Sequence, residues 1–218
     1  MKKGVILYHS NIKNIYKDRW IKKSIESMIN QTDSDLYFYE VNYGKENYSL
    51  LQGYEIKKNF WFEEMKNYAE AMNFILDKAF LDNCDIVFNT NLDDYYHQDR
   101  VKIQTSQMKN GNYDVISSDF CYIRENKDGL DEIFHYMNIA RYADFIKENL
   151  LVNHNVIAHP SVCYSKNFWI YNTYDTTKVP EEDLDLWKRS ILRGFRFKVI
   201  EDVLLYYRIH DKQVSSKN

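Results

Sequence analysis

The chain has 218 residues, 44 % hydrophobic and 16 % aromatic, with a formal net charge of −3; that is enough apolar material for one sizeable core, and without a basic excess nucleic acid is set aside as a partner. No apolar run approaches the roughly 20 residues that span a bilayer, and the short one at the N-terminus breaks at His9, Ser10 and Asn11, as a first strand does and a signal peptide does not. Cys84, Cys121 and Cys163 are odd in number and widely spaced, so spacing gives neither a disulfide framework nor a zinc site, and a cytoplasmic location is the expectation.

Gly4 to Tyr8 is a short apolar run, the pattern of a buried strand. Asp18 to Ile29 places Ile21, Ile25 and Met28 at helical spacing behind Asp18 as a cap. Leu36 to Val41 alternates aromatic and aliphatic residues as a second strand. Phe62 to Phe80 gathers Met65, Ala69, Met72, Leu76 and Phe80 on one helical face, and Asp85 to Asn89 is a third strand. This alternation predicts an α/β fold with a mainly parallel sheet sandwiched by helices.

The second half is less regular. Val115 to Ser118 and Phe120 to Arg124 read as short strands. Tyr136 to Leu150 reads as a helix with Ile139, Ala143, Ile146 and Leu150 in register, followed by a strand at Ser161 to Tyr164. Glu181 to Arg193 is a helix with Leu184, Trp187 and Ile191 inward and Gly194 as its stop. Phe195 to Ile200 and Val203 to Tyr207 close the chain as strands. With 6 Gly, 2 Pro and no linker, residues 1–218 read as one domain.

Three clusters carry chemistry. Asn91-Leu92-Asp93-Asp94 follows the third strand, and in open α/β sheets ligands bind at the carboxyl ends of strands. Adjacent carboxylates there suit a divalent cation, although a solvated turn or a helix cap uses the same residues. Glu181, Glu182, Asp183 and Asp185 crowd the first turn of a helix; the macrodipole favours them there, and Asp183 also sits at the edge of the apolar stripe, able to face a cleft. Arg208 and His210 follow the last strand; imidazole is a good metal ligand and guanidinium a good diphosphate partner.

Taken in order, these stretches resemble the family 2 glycosyltransferases of the GT-A fold. Asn73 to Asp94 looks like the family's helix, strand and Asp-x-Asp-Asp loop, Glu182 to Trp187 like its Glu-Asp helix, and Leu204 to His210, with Gln213, Val214 and Ser215, like its closing strand and His segment. Arg19 to Gln31 is similar to its first helix. The resemblance implies a transferase that takes a sugar from a nucleotide-sugar donor to a hydroxyl of a glycan or other acceptor, with inversion and with Mn²⁺ or Mg²⁺ as cofactor. It implies a nucleotide-sugar-binding half over 1–110 and an acceptor half over 111–218. By position, Asp93, Asp94 and His210 hold the metal, Asp183 is the general base, Asn91 lies near the ribose and Arg208 touches the diphosphate. His9, Ser10 and Asn11 lie beside the nucleobase.

Two positions depart from the family pattern. Asn91 stands for the usual first Asp, and Val41-Asn42-Tyr43-Gly44 for the usual Asp-Asp-Gly-Ser, with Asn42 left to read a base edge. Tyr113 to Pro160, with Asp119, Tyr122, His135, His154 and His159, is expected on the acceptor side. The alternatives are a non-catalytic nucleotide- or sugar-binding module on the same fold, and a nucleotidyltransferase, whose Gly-rich phosphate loop this chain lacks. A metal-dependent phosphohydrolase would usually carry an acidic nucleophile where this chain has His9-Ser10-Asn11.

Overall fold

The computed structural model describes residues 1–137 and 143–213; Ile139, Val214 and Ser215 lie outside them. The first strand is Lys3–His9 (β1), followed by helix Asp18–Ile29 (α1), strand Leu36–Asn42 (β2) and strand Lys57–Phe62 (β3). Helix Tyr68–Leu81 (α2) leads to strands Ile86–Phe88 (β4) and Tyr95–Tyr96 (β5), then helix Arg100–Gly111 (α3) and strand Val115–Glu125 (β6). Strand Asp131–Tyr136 (β7), helix Ala143–Leu151 (α4), strand Cys163–Ser165 (β8), helix Lys166–Tyr171 (α5), helix Glu182–Leu192 (α6) and strand Phe197–Arg208 (β9) complete the order.

The sheet runs β3-β2-β1-β4-β8-β6-β9-β5, with β7 paired to β6. The block β3-β2-β1-β4 is parallel throughout. Antiparallel β8 joins it to β6, which pairs parallel with β9. Helices cover both faces, so a central strand must be apolar on both sides. On β1, Val5 and Leu7 pack with α1 and α3, and Ile6 packs with α2, α4 and α6. This is the α/β architecture expected from the alternation of elements.

The differences from expectation have local causes. The second helix starts at Tyr68, not Phe62, because the Asn67 side chain accepts a hydrogen bond from the Glu70 amide (3.1 Å) and caps it. The residues before it include the exposed edge strand β3, whose Lys57 and Lys58 guard a free sheet edge. Helix α3 is absent from the apolar pattern because its buried face is Arg100, Val101, Gln104, Thr105 and Met108. The two short strands expected at 115–124 are one strand with a register shift at Ser118 to Phe120, and β9 is likewise continuous.

Tyr136 ends β7 rather than opening a helix. In α6 the buried face is Glu182, Leu186, Trp187 and Ser190, with Leu184 and Ile191 partly buried at its flanks. Gly194, at φ 87°, takes the left-handed conformation that ends this helix. Among the described residues no helix is long and apolar enough to cross a membrane.

Candidate active site

The ends of β1 and β4 open into a cleft of about 450 Å³. Tyr8, Ser10 and Tyr16 line one side, Thr90 to Asp93 the floor, His159, Glu182, Asp183 and Tyr68 the far side, and Tyr207, Lys212 and Gln213 come over from the C-terminal segment.

The floor is pinned from several directions. The Thr90 hydroxyl donates to the Ile6 carbonyl (2.6 Å), and the Asn91 amide N–H donates to the Tyr96 hydroxyl (2.7 Å). The Asn91 side-chain oxygen accepts from the Tyr8 hydroxyl (3.1 Å). Beneath it the fully buried Arg100 donates to the carbonyls of Asn89 (2.9 Å) and Val162 (3.1 Å) and lies 4.3 Å from the Tyr96 ring centre.

Asp93 faces the cleft with one carboxylate oxygen 3.0 Å from Nε2 of His210. Tyr16 also hydrogen-bonds to it; burial, and then the charges of Asp93 and Asp94, hold the Tyr16 phenol far above its usual range. Asp94 points away from the cleft. Its Oδ1 accepts from the Arg208 amide (2.8 Å), and its buried Oδ2 has no partner among the described residues. Burial, and then the charge of Asp93, raise the Asp94 carboxyl well above the usual carboxylate range.

Asp183 lines the cleft from the first turn of α6. Its oxygens accept from the Asn155 side-chain amide (2.9 Å) and from the Leu184 backbone (2.6 Å). Its neighbour Glu182 is 3 % exposed and accepts from the Tyr68 hydroxyl (2.9 Å). Burial, then the charge of Asp183, push the Glu182 carboxyl up to about 7. Behind them His159 bonds to the Tyr174 hydroxyl (2.8 Å), and burial lowers its pKa, which favours the neutral ring.

Of the residues expected in contact with the donor, Arg208, Asn42 and Asn11 do not line the cleft, and His9 lines it with its ring bonded to a buried partner. Arg208 is 1 % exposed, and its guanidinium is committed to both oxygens of Asp131 and to the Asp93 carbonyl (2.8 Å), so it does not reach a diphosphate in the cleft. Among the described residues Lys212 is the one Lys or Arg that lines the cleft. Asn42 does not read a base, because its amide is used within the following loop: it donates to the Glu46 and Tyr48 carbonyls (2.7 and 2.9 Å) and accepts from the Gly44 amide (3.0 Å).

The His9 ring is sealed against Glu40 (2.8 Å), with both side chains fully inaccessible. Glu40 also accepts from the Ser49 hydroxyl (2.5 Å) and the Leu50 amide (2.6 Å), so the pair locks the loop after β2 rather than presenting an imidazole to a ligand. Asn11, at φ 52°, opens a short 3-10 turn and is not among the lining residues, whereas Ser10 is. Of the residues expected on the acceptor side, His159 lines the cleft, and His154 is exposed and bonded to Asn149 (2.8 Å).

Asp93 and His210 fit a divalent cation as a carboxylate and an imidazole held together, each side chain about a tenth exposed. Among the described residues no third His, Cys, Asp or Glu joins them. Mg²⁺ and Mn²⁺ often take few protein ligands and complete their shell with phosphate oxygens and water, so the pair suits an ion shared with a diphosphate. Asp94, with its one unpartnered oxygen buried, sits behind that pair.

The raised Glu182 carboxyl has a measurable consequence. Between the unfolded carboxyl range, around 4.3, and about 7 the folded state holds a proton that the unfolded state has released. That contribution is fully present below the unfolded pKa and is lost as pH rises through about 7, so stability falls over this interval. In melting curves from pH 5 to 8, Glu182→Gln should flatten this part of the stability profile; an unchanged slope would contradict the burial of the acid.

No family model matches the sequence. The chain is similar to the uncharacterized glycosyltransferase MJ1057 of Methanocaldococcus jannaschii, 28 % identical over 213 residues, covering 89 % of this chain and 68 % of that protein. It is also similar to the O-antigen biosynthesis glycosyltransferase WbnJ of Escherichia coli, 24 % identical over 204 residues, covering 89 % of this chain and 76 % of that protein. Among solved structures, S. aureus TarS 1-349 in complex with UDP-GlcNAc superposes with a TM-score of 0.74 at 14 % identity, covering all of this chain and 61 % of that one. The same protein in complex with UDP gives 0.69 at 17 % identity, with 97 % and 61 % covered. The chain thus spans about three fifths of the TarS chain it matches. From its sequence relatives and its fold together, the chain is a glycosyltransferase domain of the GT-A fold, similar to family 2.

Proposed function

We propose that the chain transfers a sugar from a nucleoside-diphosphate sugar to an acceptor hydroxyl, with inversion and with a divalent metal, in the assembly of a glycan. One observation carries the reading: a single cleft at the carboxyl ends of β1 and β4 holds both Asp93, paired with His210, and Asp183. The TarS structures bound to UDP and UDP-GlcNAc support a nucleotide-sugar donor and make uridine the first base to test. WbnJ, an O-antigen enzyme, supports a surface glycan as product. Residues 1–110 would supply most of the donor side, joined by His210 and Lys212 from the C-terminal segment, and the remainder would serve the acceptor.

In this reading Asp93 and His210 hold the metal, which when bound supplies positive charge to the diphosphate. Lys212 takes the place expected of Arg208 and adds a cation on the same side of the reaction. The acceptor oxygen bonds to the anomeric carbon as the bond from that carbon to the diphosphate oxygen breaks. The proton of the acceptor hydroxyl passes to Asp183, which needs to lie within hydrogen-bond reach of it. The Tyr8 and Tyr68 hydroxyls, with Glu182, offer hydrogen bonds to the sugar ring.

The test is release of nucleoside diphosphate from UDP-, GDP- and dTDP-sugars with Mn²⁺ and a mixture of bacterial oligosaccharides. Release from one donor class, dependent on metal and acceptor, is expected. Nucleotide binding with no release under any condition would favour a non-catalytic binding module.

A further inference from the structure

Arg208 is fully buried and connects four things. Its Nε–H donates to the Asp93 carbonyl (2.8 Å), and its backbone N–H donates to Asp94 Oδ1 (2.8 Å). The guanidinium lies 4.7 Å from the centre of the Trp20 ring. Both terminal nitrogens bond to the two oxygens of Asp131, one of them at 3.1 Å. Trp20 in turn sits 5.2 Å from the His210 ring, and its indole N–H donates to Glu125 at the end of β6 (3.0 Å).

Asp131 therefore sets where Arg208 points, and Arg208 sets where the Asp93 backbone lies. Asp131 is the first residue of β7, 8 % exposed at its side chain, and also receives the Lys23 ammonium of α1 (2.6 Å). Burial would raise its carboxyl, but the hydrogen bonds from Arg208 and Lys23 outweigh that and bring it down to about 2. It stays a carboxylate at neutral pH, as an anchor for a buried guanidinium must.

We propose that Asp131, on the β6–β7 hairpin and remote in sequence from both ligands, is a positioning residue that sets the metal affinity of the Asp93–His210 pair through Arg208 and Trp20. The proposal rests on the metal reading of that pair. Without the Asp131 charge the guanidinium is free to swing toward the neighbouring Asp94, and the Asp93 carbonyl loses its donor. Outer partners of metal ligands typically change affinity by about tenfold to a hundredfold when removed.

The experiment titrates Mn²⁺ alone into the full chain, reading the free ion by electron paramagnetic resonance well below the melting temperature. Wild type, Asp93→Ala, Asp131→Asn and the double variant Asp131→Leu/Arg208→Met are compared. The double variant removes the ion pair as a unit, which buried pairs often tolerate, so it remains usable if Asp131→Asn does not fold. Expected is binding by wild type, its loss in Asp93→Ala, and a Kd about tenfold to a hundredfold weaker in the folded Asp131 variants. Wild-type Kd in folded Asp131 variants, with Asp93→Ala inactive for binding, would overturn the role of Asp131 and leave the metal site standing. No binding by wild type would overturn both.

Discussion

Asp183→Asn is expected to reduce turnover by about 10²–10⁴-fold, the usual contribution of a positioned general base, while leaving donor affinity unchanged. Asp183 lines the cleft, and its Oδ2 is held by the Asn155 amide at 2.9 Å, so its place is fixed without any ligand. The substitution keeps the size and shape of the side chain, removes its charge and its ability to take a proton, and leaves one accepting oxygen where the carboxylate used two. Loss of kcat with constant donor Kd is the signature of an interaction made in the transition state alone. Steady-state kinetics together with donor titration separate the two quantities. Near-normal turnover in Asp183→Asn would exclude it as the base and direct attention to Glu182, which shares the cleft.

The second large effect is on stability. Arg208→Ala should cost about 3–5 kcal/mol, because it leaves the Asp131 carboxylate, 8 % exposed, without its main counter-charge. It also leaves the Asp93 carbonyl without a donor. Urea denaturation measures the loss directly. Had Arg208 been a cleft residue touching the diphosphate, the variant would melt like wild type and show only a raised donor KM; that result would contradict the buried brace described above.

How much of this was legible in the sequence follows from what each residue depends on. β1, α1 and β2 were readable because their burial is a local apolar period: Val5 to Leu7, then Ile21, Ile25 and Met28. α3 was not, because Arg100 and Gln104 are buried on partners that only the fold supplies, the carbonyls of Asn89, Val162 and Ser161. β3 and β7 are largely exposed edge strands, and neither offers the alternation that marks a buried face.

The site divides in the same way. Asp93, Asp183 and His210 sit in motifs whose order along the chain carries meaning. The commitment of the Arg208 and His9 side chains to buried partners does not, since it depends on Asp131 and Glu40, 77 and 31 residues away in the chain. Lys212, two residues after His210, carried the nearest signal of the residues that were missed, and Glu182 lay inside the Glu-Asp stretch with no role assigned to it. A cation beside a proposed metal-ligand histidine and an acid beside a proposed base are both candidates on chemistry alone.

Thermal unfolding with a panel of nucleoside diphosphates, with Mn²⁺ or with chelator, for wild type and Asp93→Ala, tests the metal-dependent donor site directly. A ligand that binds only the folded state at a hundredfold excess over Kd adds about 2.7 kcal/mol. A raised melting temperature is expected with one nucleotide, UDP first among them, that requires Mn²⁺ and disappears in Asp93→Ala. No shift with any nucleotide, or an equal shift in chelator and in Asp93→Ala, would contradict a metal-dependent donor site in this cleft.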